Sequence, residues 1–438
     1  MLTLTAGRCA GRFQRLLVSV LTFGTILVGV HARAAEPTAG EQQLKVLEGR
    51  YKSEQAKVGV EAANVTDQAQ REKLHRELDP ANTMIEEFLK LEEQQRGTLV
   101  GLSVLHHLVS IAGGGYGFQG DFPATNGGRR ALTILTEHYG AHPDLDVFLN
   151  WLQSDPAFEK FLKRAMESPH RHVRGTARYA LARLRYSASW IPASFDLQLS
   201  LLASDRTKHA AEIDRYVKLR KRWNNVDPAA SRREALRLLD ETIAQYGDVL
   251  EAPRTSYGPV LLKIERGEID ALTQHPRRRL SQLAESLRFE VQNLSIGEPA
   301  PEIVGPDAFG NDLKLSNYRG KVVVIMFSFK GCGPCESMYP DNRKLLEDYA
   351  GRPLTFVGVM GDDDLATVKE AVEKRKITWP VWWDGGGTHG PLATRWNVSS
   401  WPKIYVLDHK GIIRYRELRG DVLSLAVARL VEAAEQAR

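Results

Sequence analysis

The sequence predicts a two-part α+β chain. An all-α array of helical hairpins over 35–295 precedes an α/β layered domain over 296–438. Three observations carry this reading. Apolar residues recur at helical spacing through most of 36–295, where alternating β-branched runs are scarce. Around Ser295 the composition changes, and Gly297, Pro299, Pro301, Gly305, Pro306 and Gly310 make a turn-rich linker. Beyond it, continuous apolar runs alternate with helical patterns, the order of an α/β layer.

Composition narrows the function classes. With 43% hydrophobic and 26% charged residues in a chain of 438, neither wholesale disorder nor a polytopic membrane protein fits. Three cysteines exclude a disulfide-stapled scaffold. The formal net charge of +5 divides unevenly, with +4 in 1–34, +1 in 35–295 and 0 in 296–438. The body of the chain is nearly neutral and has no electrostatic footprint for nucleic acid.

The first element is a leader. Arg8, Arg12 and Arg15 precede an apolar run from Leu16 to Val30, and Ala32-Arg33-Ala34 gives a small-residue cleavage site. Together they read as a signal peptide over 1–34, with an uncleaved membrane anchor as the alternative. No membrane span is expected after cleavage. Export carries the protein into an oxidising compartment, periplasmic or otherwise extracytoplasmic. Cleavage removes Cys9 and leaves Cys332 and Cys335 as the only thiols.

Helical spacing then predicts helices over Ala81–Gln94, Gly101–Ile111, Asp144–Leu152, Ala157–Met166 and Val173–Leu184. It continues over Thr207–Trp223, Ala230–Tyr246 and Arg277–Val291. Asp155-Pro156 suits a helix start, with Asp as cap and Pro in the first turn. The stretch Glu167–Leu184 resembles one HEAT-type repeat, its small Ala177 and Ala180 allowing close helix packing. Gly113–Gly117 and the residues to Gly128 are expected to form the longest loop. The 35–295 region has no role legible in the sequence.

In the layered region, Lys321–Phe329 is a continuous apolar run, as a strand buried on both faces requires. Leu354–Met360 is a second strand and Pro380–Trp383 a short third. Lys403–Leu407 and Gly411–Tyr415 read as a hairpin. Helices are expected over Cys335–Tyr349, Leu365–Lys376, Pro391–Trp396 and Val422–Ala437.

Cys332-Gly333-Pro334-Cys335 follows the central strand and opens a helix, which is the thioredoxin-like placement of a Cys-x-x-Cys. At the helix N-terminus, free N–H groups and the macrodipole stabilise a thiolate, so Cys332 is the expected nucleophile. Cys335, one turn in, is expected to be more buried and to resolve the mixed disulfide. Pro334 suits the first turn because no N–H partner is needed there. The alternatives fare worse. A zinc site lacks a second cysteine pair. Haem attachment needs a histidine where Glu336 stands, and a structural disulfide would close too short a loop to stabilise much. No metal or cofactor is expected.

These residues carry a resemblance. Residues 296–438 resemble the TlpA-like, redoxin-related branch of the thioredoxin superfamily. The signature residues are Gly297-Glu298-Pro299-Ala300-Pro301, Phe309-Gly310-Asn311-Asp312, Leu315 to Val323, Cys332–Cys335, Pro340, Trp401-Pro402 and Gly411–Arg414. The resemblance implies a C-terminal thioredoxin fold with a cis Pro402. There Trp401 offers its backbone to a substrate chain, and Gly331, Gly333 and Pro334 complete the contact. It also implies an exported thiol-disulfide oxidoreductase. Such an enzyme reduces a disulfide-bearing protein and is itself recharged by a membrane thiol donor. The helical region resembles extensions of bacterial, planctomycete-type members.

Two departures stand out. The buried aspartate usual six residues before the first cysteine is Met326, and the glutamate usual three after the second is Met338. Lys330 and Glu336 are the remaining candidates to accept a proton from the resolving thiol. Gly331 replaces the usual tryptophan and leaves that flank open. Trp379, Trp382, Trp383, Trp396 and Trp401 read as core packing plus one exposed ring, with a substrate platform as the alternative. Two rival functions remain. A peroxide-reducing redoxin would call for a threonine where Phe329 stands, and a non-enzymatic binding protein would use the C-terminal region only for docking.

Overall fold

Among the described residues, helices run up to Asn293, and a sheet with its covering helices follows. The computed structural model describes residues 37–252, apart from 66–69, 71–73, 75–76, 113–125, 153 and 225, and residues 277–437. The leader over 1–34, Cys9 and the glycines 113–117 lie outside the described residues.

Helix α1 (Ala39–Ala63) starts at a capping box in which Thr38 Oγ1 accepts from Glu41 N and Glu41 Oε2 accepts from Thr38 N. Helices α2 (Ala81–Gln94) and α3 (Leu99–Ala112) pack beside it, and α4 (Asn126–His138) packs on α2 and α3. The loop expected to reach Gly128 stops earlier, because Gly127 and Gly128 belong to α4. A Cβ on Gly127 would meet Ile85 at 2.8 Å, so this glycine serves close helix packing rather than a turn.

Helices α5 (Leu145–Trp151) and α6 (Glu159–Ala165) flank a 3-10 turn, Pro156–Phe158, where Asp155 Oδ1 accepts from Ala157 N at 2.9 Å. Helix α7 (Arg171–Leu202) runs far past the expected Leu184 and passes through Pro192. Its 32 residues span roughly 48 Å. The extension has a packing cause. Residues Val173 to Ile191 bury into the helical core, and Leu201 and Leu202 bury into the core of the layered region. One helix thus serves two cores. Helices α8 (Ala210–Lys221), α9 (Pro228–Tyr246) and α10 (Leu280–Asn293) follow among the described residues. Gly175 on α7 lets α9 and α10 approach, since a Cβ there would meet Tyr246 and Leu280 at 2.9 Å.

The glycine- and proline-rich linker is not bare coil. It forms a small antiparallel pair, β1 (Val304–Pro306) and β2 (Asp312–Lys314), turned by Asp307, whose Oδ1 accepts from Phe309 N and Asn311 N. Three-residue strands with a proline leave too little pattern to read from sequence.

The main sheet has five strands: β3 (Val322–Ser328), β4 (Leu354–Met360), β5 (Val381–Trp383), β6 (Lys403–Leu407) and β7 (Ile413–Arg416). Their order is β5-β4-β3-β6-β7, with β3, β4 and β5 parallel and β6 and β7 antiparallel to their neighbours. Period-2 alternation sorts side chains cleanly. Val323, Ile325 and Phe327 join one apolar layer, while Val322, Val324 and Met326 join the other. Helices α11 (Gly333–Asp348), α12 (Leu365–Glu373), α13 (Pro391–Arg395) and α14 (Gly420–Gln436) cover the sheet. This is the thioredoxin-type layered fold expected. Among the described residues, no helix is long and apolar enough to cross a membrane.

Candidate active site

Strand β3 ends at Ser328, and four residues later the chain enters α11 with Cys332 as its cap. Cys332 and Cys335 are joined as a disulfide. Cys332 Sγ accepts from the Cys335 N–H at 3.2 Å, and its carbonyl accepts from the N–H groups of Cys335 and Glu336. A sulfur so placed receives an N–H of the helix start, the arrangement that favours a thiolate. Cys332 is 6% exposed and Cys335 0%, so the first cysteine is the less buried of the two. That burial order is the one the sequence predicts.

Gly331 turns the chain into the helix with φ +88°, a conformation other residues adopt only with strain. Nothing lies within 4 Å of where its Cβ would stand, so the flank beside Cys332 is open. The same holds for Gly333. Gly331 N donates to Glu336 Oε1 at 2.8 Å, which ties that carboxylate to the loop. Lys330 Nζ turns outward to Glu370 at 3.0 Å. Neither proton-acceptor candidate is a buried acid.

The peptide between Trp401 and Pro402 is cis. Antiparallel pairing sets Lys403 opposite Phe327, which brings Trp401 and Pro402 alongside the β3 exit towards Cys332. Trp401 stands edge-on to Phe329 with ring centroids 5.5 Å apart. It also closes over Gly361, where a Cβ would meet its ring at 2.9 Å. Arg419 donates to the Pro402 carbonyl at 3.2 Å. Of the clustered tryptophans, Trp379, Trp382 and Trp396 are buried in the core and Trp383 is 42% exposed. Trp401 is half-buried at the site itself.

Met326 and Met338 both face the apolar cluster that holds Cys332 and Cys335, so no carboxylate occupies either familiar position. Asn342 instead donates to Met326 Sδ at 3.5 Å. The structure does place a buried acid nearby, which the sequence reading missed. Asp362 follows β4, is 8% exposed, and its Oδ1 accepts from the Lys330 N–H at 2.9 Å. Its Oδ2 is buried without a protein partner. Burial pushes its carboxyl above the usual range, against the pull of the Lys330 N–H. The Trp383 indole caps the same residue, donating to its carbonyl at 2.6 Å. A signal existed. Asp362 lies just beyond the carboxyl end of a parallel strand next to β3, where open α/β sheets gather their chemistry.

A second layer supports the helix start. Tyr339 donates to Ser328 Oγ at 3.1 Å, and Ser328 donates to Met360 Sδ at 3.2 Å. Burial raises the Tyr339 phenol to about 12, so it stays a neutral donor.

Residues 296–416 match the family described as AhpC/TSA. The thiol-disulfide oxidoreductase ResA of Bacillus thuringiensis subsp. konkukian is 26% identical over 130 residues, covering 30% of this chain and 73% of that protein. A protein of Mycobacterium tuberculosis (strain CDC 1551 / Oshkosh) named as a peroxiredoxin is 31% identical over 124 residues, covering 28% of this chain and 75% of that one. The crystal structure of the thioredoxin domain of a thiol-disulfide oxidoreductase from Bacteroides vulgatus is 30% identical. It covers 32% of this chain and 99% of that one, with a TM-score of 0.29. The chain belongs to the AhpC/TSA family through residues 296–416, and is a TlpA-like thiol-disulfide redox enzyme of the thioredoxin superfamily with a long helical region ahead of the family match.

Proposed function

We propose that the protein is an exported protein-disulfide reductase. The observation that carries the reading is the Cys332–Cys335 pair at the start of α11, beside the cis Trp401–Pro402 peptide. In the reduced enzyme the Cys332 thiolate attacks one sulfur of a partner's disulfide. That bond breaks, a mixed disulfide forms, and the partner's other sulfur leaves as a thiolate that takes a proton. Cys335 then gives up its proton and attacks Cys332 Sγ. The second partner sulfur departs, and two electrons and two protons have passed to the partner.

Trp401, Pro402, Gly331, Gly333 and Pro334 form the substrate-contacting rim in this reading. The open flank at Gly331 and the half-buried Trp401 support it. The Gly-Pro dipeptide between the cysteines favours reduction over oxidation. A membrane thiol donor restores the dithiol in the oxidising compartment. The chain then divides into a leader (1–34), a helical domain (35–295) and a thioredoxin-like domain (296–438). N-terminal sequencing of the exported protein checks the first boundary, with Ala35 as the expected first residue.

Equilibration of the purified chain in thiol buffers tests the direction. A potential near about −270 mV, that of thioredoxin, supports a reductase, and one near about −120 mV makes it an oxidase. The match to a peroxiredoxin supports a second reading, in which Cys332 attacks peroxide oxygen. Rapid peroxide consumption by the dithiol, with no turnover of protein disulfides, would favour that one.

A further inference from the structure

Helix α10 of the helical region reaches the substrate-contacting loop through one buried carboxylate. Glu290 is 4% exposed. It accepts from Asn397 Nδ2 at 2.5 Å and from Lys403 Nζ at 3.2 Å, and it pairs with Arg416 on β7. Asn397 and Lys403 bracket the cis peptide, and Lys403 directly follows Pro402. The neighbouring Phe289 adds a second contact, with the Arg395 guanidinium 5.4 Å above its ring.

The centre of the cluster is buried. Arg416 is 2% exposed, donates to the Tyr186 hydroxyl of α7 and lies 4.8 Å from the Trp190 ring. Lys403 also pairs with Glu417 at 3.5 Å. Two carboxylates therefore meet two cations. Such a group holds only in the geometry that keeps every charge paired, because an unpaired buried charge is strongly unfavourable. Surface packing between two regions needs no such group.

We infer that Glu290 is a positioning residue for the redox site: the helical region uses it to fix both ends of the Asn397–Lys403 loop, so that Trp401 and Pro402 are held ready for a substrate strand. The inference rests on the reductase reading and assigns the helical region a part in it. The loop is ordered before substrate arrives, so ordering entropy is not charged against binding.

The test compares the full-length chain with Asn397→Gly and Glu290→Gln, using insulin as the protein disulfide and dithiothreitol as reductant. Asn397 has φ +51°, so glycine keeps the backbone while deleting the amide that reaches Glu290. The expected result for Asn397→Gly is a KM for insulin raised about fivefold or more. Its kcat and the potential of the Cys332–Cys335 pair should stay within about twofold of the parent. Glu290→Gln should move KM in the same direction. If it does not fold, Asn397→Gly alone decides. An unchanged KM in Asn397→Gly, or a shifted potential with KM unmoved, overturns the clamp. If the parent chain reduces no insulin, the reductase reading fails instead. The clamp is then judged by hydrogen exchange of the 398–404 amides, which must speed up in Asn397→Gly and overturns the idea if it does not.

Discussion

The helical region and the layered region both bury ionisable groups, and the two histidines of α3 and the acid after β4 use burial in opposite ways. In the helical region, His106 and His107 sit on α3 among rings, against Phe148 at 5.4 Å and Phe88 at 4.7 Å. Burial lowers both imidazoles to about 4, so they are neutral and act as packing. In the layered region, one set of buried polar groups lies where β3 and β4 end. There they touch backbone: Asp362 holds the Lys330 N–H, and the helix-start N–H of Cys335 points at Cys332 Sγ. Burial alone does not mark a functional group. What distinguishes the two sets is whether the polar atom is aimed at a segment that must be held in one conformation.

The largest effect separates the regions by chemistry. Cys332→Ser removes the nucleophile, and disulfide reduction should fall on the order of 1,000-fold or more. Cys335→Ser should accumulate a mixed disulfide with insulin, visible on a non-reducing gel. Turnover retained in Cys332→Ser would place the chemistry elsewhere and erase the contrast.

How much of this was legible follows the same line. Strands β3, β4 and β6 were readable because sheet burial on both faces forces unbroken apolar runs such as Val322–Phe327. The dithiol was readable because its chemistry depends on local spacing, whereas the cis Pro402 followed from the family resemblance. Pro192 hid the second half of α7, since nothing in the sequence says that Leu201 and Leu202 serve a distant core. Gly127 and Gly128 suggested a loop, while their cause is the close approach of Ile85. Asp362 and Glu290 were missed because acids in polar stretches read as surface. Their meaning comes from partners 32 and more than 100 residues away.

The next effect tests the packing role of the histidines. Unfolded imidazoles take up protons below about 6.5, and the buried ones resist until about 4. Stability is therefore full above pH 6.5 and falls as pH drops through that window. The loss approaches about 3 kcal/mol per histidine by pH 4. Urea unfolding at pH 7 and pH 4.5 should show it, and His106→Leu should make the pH slope shallower. Identical slopes in parent and variant would mean that these imidazoles are not held neutral by the fold.

A smaller effect probes the aimed acid. Asp362 reaches the dithiol loop only through the Lys330 N–H, so Asp362→Asn should slow reduction by about tenfold rather than abolish it. The more informative readout is the pH profile. Burial raises this carboxyl, so it stays protonated to a higher pH than an ordinary aspartate. If the carboxylate is the working form, activity climbs with pH as it ionises, and asparagine removes that acid limb. A profile unchanged in shape would reduce Asp362 to a packing residue, no different in kind from His106.

The smallest effect asks whether the two regions are separate in stability as well as in chemistry. Each has a helix start capped the same way. Asp227 accepts from Ala229 N and Ala230 N at the head of α9, and Asp364 accepts from Ala366 N at the head of α12. Changing either to alanine should cost about 1 kcal/mol. The apolar cluster that joins Leu201, Leu202, Tyr216 and Leu219 to Val422, Ala426 and the cysteines runs across both regions, and residues 37–438 form one compact unit. Both substitutions should then lower a single calorimetric transition by similar amounts, although one lies in the helical array and the other in the layered region. Two transitions, each moved by only one variant, would show that the shared cluster does not couple the regions. The clamp at Glu290 would then have to hold the Asn397–Lys403 loop without help from the surrounding core.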